Sequence, residues 1–374
     1  MSNQRTSSFK KKTTTDSKQD SDISTIQSSL NNITVPTKST KIYYVDGSSG
    51  TDTNDGSRER PFKTVQKGIN QIETVYDGTT RELKILSGTY NETLTIKKPY
   101  IQITGSSTSR YCNSGCILQS FMYIQVATGT DINAQISIIG CQIKGQVADT
   151  SSNTHTLNIK DCLFNYISTT LRQASTADCL TYLEDVNFIP SDLLGATYLV
   201  SIEKGTLEMT NCALIAKSYA CSCLVLANLN KATIKNCTFS NTDTGLYLKP
   251  LITCNDLTTQ DWISFHSCHF STVAGASNRV TTFDYNSAIY NTQRMNVLVN
   301  KCFFKMLGLS NSGTNYIILS KYDDPDFIYW DSYNHVYITS SSLTVEQSSN
   351  IAFHGTCGTI CPLGSFKMGF QAVA

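Results

Sequence analysis

Proline is scarce in this chain, at 7 of 374 residues, and so is charge, with 30 Lys and Arg against 29 Asp and Glu for a formal net charge of +1. A near-neutral surface is a poor partner for a phosphate backbone, so nucleic-acid binding is not expected. No stretch has the apolar length of a transmembrane helix, and residues 1–22 lack the apolar core of a secretory signal. Membrane insertion and export are therefore not expected. The signatures of tetratricopeptide, ankyrin and leucine-rich repeats are absent as well. Cysteine, by contrast, is abundant, at 14 residues. That many thiols without an export signal point to assembly in a reducing compartment.

One short phrase recurs along the chain. It reads Ile138-Ile-Gly-Cys-Gln-Ile143, Ile159-Lys-Asp-Cys-Leu-Phe164, Leu183-Glu-Asp-Val-Asn-Phe188 and Met209-Thr-Asn-Cys-Ala-Leu214. It continues as Ile234-Lys-Asn-Cys-Thr-Phe239, Phe265-His-Ser-Cys-His-Phe270, Val299-Asn-Lys-Cys-Phe-Phe304 and, more weakly, Ile338-Thr-Ser-Ser-Ser-Leu343. The small residues lie 21, 24, 26, 25, 31, 34 and 39 positions apart. A drifting repeat of this size marks a stacked solenoid with variable loops. Alternation and β-branched content make the unit strand-based.

The phrase has a physical reading. Apolar residues flank a polar one, an Asn or Asp bends the chain, and the small residue and the next apolar one point inward again. Asn and Asp suit such a bend because they tolerate left-handed backbone angles. Coils stacked at about 4.8 Å would place like residues over like. Cys141, Cys162, Cys212, Cys237, Cys268 and Cys302 then form an inward column of small thiols that pack as hydrophobes. The pattern resembles the right-handed parallel β-helix of pectate-lyase-like and tailspike-like proteins, from about Ile42 to Leu343. The fold expected is all-β: a single-stranded right-handed parallel β-helix with an N-terminal capping helix and a flexible N-terminal tail.

Residues 1–22 have the composition of a flexible tail. Ile23, Ile26, Leu30 and Ile33 then follow in steps of 3, 4 and 3, the seam of a short coiled coil that leans toward three or more strands. The alternative is a chance pattern in a linker. Tyr43-Tyr-Val-Asp-Gly47, Gly50-Thr-Asp-Thr-Asn-Asp-Gly56 and Pro61-Phe-Lys-Thr-Val-Gln-Lys-Gly-Ile-Asn70 resemble the capping module found ahead of many parallel β-helices. Phe62, Val65, Ile69, Ile72 and Tyr76 make one apolar helical face, with Thr64 as the N-cap. Asp52-Thr-Asn-Asp-Gly56 reads as a turn; a calcium loop would need further ligands and a terminal Glu. Gly88-Thr-Tyr-Asn-Glu92 resembles the first coil of pectin methylesterases and of non-enzymatic β-helices, and marks the start of the solenoid. The expected domains are a tail over 1–40, the capping module over 41–82, the β-helix over 83–350 and a closing segment over 351–374.

Catalytic phrases fail on their neighbours. Asn241-Thr-Asp243 resembles a polygalacturonase motif, but the next Asp pair, Asp323-Asp324, is several coils away. Phe353-His-Gly355 lacks the first Gly that family requires, and Arg-Ile-Lys is absent. Asp326-Phe-Ile-Tyr329 resembles part of a pectin methylesterase site without its companions. Nothing makes two carboxylates face each other across a glycosidic bond. His266 and His269 flank an inward Cys268 and so should lie outside. Cys112 with Cys116 and Cys357 with Cys361 are four apart, yet the pairs sit near opposite ends, and free thiols or local disulfides are favoured over zinc.

These readings lean against an enzyme and imply no catalytic residues, no cofactor and no metal. The combination of tail, seam, capping module and β-helix resembles spike, fibre or minor capsid proteins of virions, assembled in a host cytoplasm. What that implies is attachment or particle-surface architecture, homotrimers, contacts with other capsid proteins and contacts with host glycans. The candidate glycan- or protein-binding residues are Tyr322, Asp323, Asp324, Asp326, Tyr329, Trp330 and Tyr333, a cluster of aromatic and acidic side chains. The alternative is a polysaccharide-degrading hydrolase or lyase of the pectate-lyase-like superfamily.

Overall fold

A left-handed backbone residue precedes the small side chain of each described phrase. Gly140, Asp161, Asp185, Asn211, Asn236, Ser267 and Lys301 have φ of 66°, 52°, 55°, 55°, 53°, 53° and 53°. Glycine takes this conformation freely and Asn or Asp at low cost, whereas other residues are strained by about 1–2 kcal/mol. Each bend ends one strand and starts the next, as Leu229–Lys235 is followed by Thr238–Asn241.

Repeated bends give a parallel β-helix. The computed structural model describes residues 41–106, 115–127, 134–166, 168–190, 198–217, 221–242, 251–255, 262–273, 287–291 and 296–307, with short strands at 316–320, 328–331, 335–338, 344–345, 351–354 and 367–368. Its strands form sheets of twelve, ten and nine, visited in turn by successive coils, with a separate two-stranded pair near the C-terminus. The twelve-stranded sheet begins with Ile42–Val45 and ends with Ile351–His354. At about 4.8 Å per strand it extends about 50 Å. The seam residues Ile23, Ile26, Leu30 and Ile33 lie outside the described residues.

Register keeps the inward columns continuous. In the first sheet Ile103, Ile138, Ile159, Leu183, Met209, Ile234, Phe265 and Val299 are successive partners, and all are buried. In the second, Phe164 stacks on Phe188 at 4.7 Å and Phe239 on Phe270 at 5.3 Å. Such pairs add about 0.5–1.5 kcal/mol to their burial.

The thiol column is present as expected. Cys141, Cys162, Cys212, Cys237, Cys268 and Cys302 are buried, with Val186 taking the same role in its coil. The column starts one coil earlier than expected, because Cys116 is a free, buried partner of Cys141. The thiols also do more than fill space. The Sγ of Cys162, Cys212 and Cys268 donates to the carbonyl of Ile138, Leu183 and Ile234 respectively, each at 3.5 Å in the preceding coil. Burial keeps the Cys237 thiol protonated by raising its pKa strongly.

The N-terminal end is closed by helix α1, Val65–Thr74. Thr64 caps it, accepting from the Lys67 N–H. Asp52 accepts from the N–H groups of Lys63 and Thr64 and from the Thr64 hydroxyl, which makes it a turn anchor. Glu92 accepts from Val65 and Gln66 N–H at 2.7 and 3.0 Å. The Gly-x-Tyr-x-Glu phrase thus ties the first coil to the helix N-terminus, where a carboxylate satisfies orphan donors and the helix dipole. Val65, Ile69 and Ile72 are buried, and a Cβ at Gly68 would stand 2.4 Å from Leu83. Phe62 is buried ahead of the helix, bridged to the first strand through Val45, while Tyr76 lies beyond the helix end and is 37% exposed. Of the two histidines expected outside, His266 and His269 are each half-buried beside the buried Cys268.

Four stability outcomes follow, each read from the urea unfolding midpoint. Ser267→Gly relieves the bend and stabilises by about 0.5–1 kcal/mol, while Asn236→Val destabilises by about 1–2 kcal/mol. Glu92→Ala frees the helix N-terminus at a cost of about 0.5–2 kcal/mol. Cys212→Val costs under about 1.5 kcal/mol, since valine already fills this column at position 186.

A buried Asp-His-Cys cluster as the candidate functional site

The apolar rule of the interior fails at one corner of two adjacent coils. There the chain reads Asp149-Thr-Ser-Ser-Asn-Thr-His155 and, one coil on, Gln173-Ala-Ser-Thr-Ala-Asp-Cys179. Asp149 ends a strand of the third sheet and pairs with Gln173. His155 and Cys179 each precede a strand of the first sheet, and Leu180 N–H donates to the His155 carbonyl. The ends of both segments are six positions apart, so like positions stack: Asp on Gln, Ser on Ser, His on Cys.

The corner is folded by its own polar groups. The Asp149 carboxylate accepts from Ser151 N–H at 3.1 Å, and Ser151 Oγ accepts from Val126 N–H at 2.9 Å. Ser175 Oγ donates to the Ser151 carbonyl at 2.7 Å and accepts from Ala177 N–H. Above the corner are Ile202 and Gly205; below it are Ile124, Val126 and Ala134. A Cβ at Gly205, whose φ is 96°, would meet the Cys179 carbonyl oxygen at 2.0 Å. Only glycine lets the next coil close over the thiol.

Three chemically potent side chains meet inside. His155 Nδ1 is 3.3 Å from Cys179 Sγ and 3.0 Å from the Asn153 carbonyl. His155 Nε2 is 3.0 Å from Asp149 Oδ2. That contact has ion-pair distance without hydrogen-bond alignment, so Asp149 Oδ2 and His155 Nε2 have no hydrogen-bond partner, and neither has Gln173 Nε2. Burial acts to strip the proton from His155, but Asp149 and Cys179 outweigh it and its pKa is pushed up to about 10. Asp149 is 0%, His155 1% and Cys179 2% exposed, which closes the thiol to any external substrate in this state. One ligand atom from each residue falls within 4.8 Å of the others, a thiol, imidazole and carboxylate set of the kind that holds transition metals.

Tyr322, Asp323, Asp324, Asp326 and Tyr333 lie outside the described residues. Tyr329 and Trp330 belong to the strand Ile328–Asp331 of the first sheet. Tyr329 takes the register position of Leu298, and Trp330 that of Val299 in the inward column. Cys112, Cys357 and Cys361 also lie outside the described residues. No sequence reasoning flagged Asp149, His155 or Cys179. The signal available was the paired six-residue spacing in two consecutive repeats, together with a cysteine out of phase with the thiol column.

No family model matches the chain, and no curated protein matches it. Among solved structures, pectin methylesterase PemA from Erwinia chrysanthemi is similar at 13% identity, over 79% of this chain and 80% of that chain, with a TM-score of 0.29. The parallel β-helix assignment rests on the strand pairing described above.

Proposed function

We propose that this chain is a structural, non-catalytic β-helix of a particle surface, a spike, fibre or minor capsid component of a virion that serves attachment or surface architecture. The observation that carries the reading is the inward stacking through the successive described coils, which commits most of the interior to a rigid, self-consistent scaffold. The outer face of the first sheet agrees with it. Along one row, Glu82, Gln102, Ser137, Asn158, Tyr182, Glu208 and Thr233 are successive partners, a row whose two charges are separated by four uncharged residues, which suits close packing against another copy or another capsid protein. Homotrimers joined through Ile23, Ile26, Leu30 and Ile33 belong to the same reading, as does contact of the Tyr322–Tyr333 segment with host glycans.

The first test is the solution molar mass of the full chain against a chain beginning at Lys41. A trimer that becomes monomeric on truncation supports the spike reading and its seam. A trimer in both moves the interface to the sheet faces and keeps the structural role. A monomer in both overturns self-assembly. In parallel, acidic and neutral polysaccharides should yield no new reducing ends or unsaturated products. Release of either, abolished by Asp324→Asn or Asp326→Asn, would replace the structural reading with an enzymatic one.

A further inference from the structure

We propose that Asp149, His155 and Cys179 bind one divalent transition-metal ion of the zinc type, which staples two adjacent coils from inside. The donor set is the first reason. Zinc takes thiolate, imidazole and carboxylate ligands together, at about 2.3, 2.0–2.1 and 2.0–2.2 Å. Ligand atoms around such a centre stand between three and four ångströms apart, and here they already lie within 4.8 Å of one another.

The orientation of His155 is the second reason. A ligating histidine uses one ring nitrogen and donates the other N–H to a carbonyl or carboxylate, which fixes the tautomer. The Asn153 carbonyl, 3.0 Å from Nδ1, fills that second role. Nε2 is left facing Asp149 Oδ2 at 3.0 Å, and these are two of the buried atoms without a hydrogen-bond partner. Orphaned buried polar atoms normally mark a missing water or ion. An ion held by Nε2 and the carboxylate satisfies both at once, with the Cys179 thiol, 3.3 Å from Nδ1, turning to meet it and Ser175 Oγ, 3.2 Å from Sγ, at hand for a fourth position.

Placement is the third reason. Asp149 and His155 come from one coil and Cys179 from the next, and the cluster is sealed by apolar layers above and below. A site so closed fills as the coils stack, so binding free energy becomes folding free energy.

The test uses the full chain purified without chelators and, separately, refolded with Co2+ in place of zinc. Elemental analysis should give about one zinc per chain. Zinc-edge X-ray absorption of the unmodified protein should show one sulfur among nitrogen and oxygen neighbours, and the cobalt form a sulfur-to-metal charge-transfer band with tetrahedral d–d bands. Cys179→Ala and His155→Gln should abolish stoichiometric metal, while Cys237→Ala, in the thiol column, should keep it. Protein free of metal that takes up no Co2+ on refolding overturns the proposal and leaves a hydrogen-bonded or hydrated cluster. So does metal held by four sulfurs or by none, or metal that survives both ligand substitutions. The absorption spectrum needs no variant, so it decides even if the substituted chains do not fold.

Discussion

Parallel stacking is the constraint from which the rest of this molecule follows. Each coil must hand its backbone N–H and C=O groups to the coils on either side, because a strand in the middle of the stack has no other partner. That requirement fixes register, and register places each inward side chain on its equivalent. Each column then takes a restricted set of residues: Ile, Leu, Met, Phe and Val in one, Cys and Val in another, Phe, Leu and Ile in a third. The bends obey the same rule, with a left-handed residue at one point of each described phrase. Cysteine suits its corner because it is small enough for the column and still donates to a carbonyl of the preceding coil.

Against such an interior the Asp149-His155-Cys179 corner stands out energetically. Three hydrogen-bonding or charged groups have been removed from water, which is costly unless they satisfy one another or a bound ion. The corner achieves part of this locally, through the two serines and the Asn153 carbonyl, and leaves the Asp149–His155 contact without an aligned hydrogen bond. A column of apolar side chains would have been the cheaper solution. Its absence at two consecutive coils, each with the same six-residue spacing, makes the corner a built feature of these coils.

The ends of a solenoid pose the opposite problem, since an open sheet edge invites unwanted pairing. Here the solution is electrostatic as much as hydrophobic. Glu92, from the first full coil, and Asp52, from the capping loop, each accept hydrogen bonds at the start of α1. The apolar face of the helix then closes over Leu83 and the strand beside it. Cap and coil are held by groups that belong to both.

Features carried by a local phrase were legible in the amino-acid sequence. The bend at Asn211 or Asn236, the inward thiols, the Thr64 cap and the apolar face of α1 each depend on residues within a turn or two of one another, so spacing alone determined them. Features that depend on which coil lies over which were not. Cys116 looked like half of a pair with Cys112, and only strand pairing put it over Cys141 in the thiol column. Asp149, His155 and Cys179 carry no shared motif, because their proximity arises from one loop folding inward and the next coil stacking upon it. Tertiary structure also decided their chemistry: sealing by Ile124, Val126, Ile202 and Gly205 removes the water that would otherwise leave a histidine and a cysteine as ordinary polar residues.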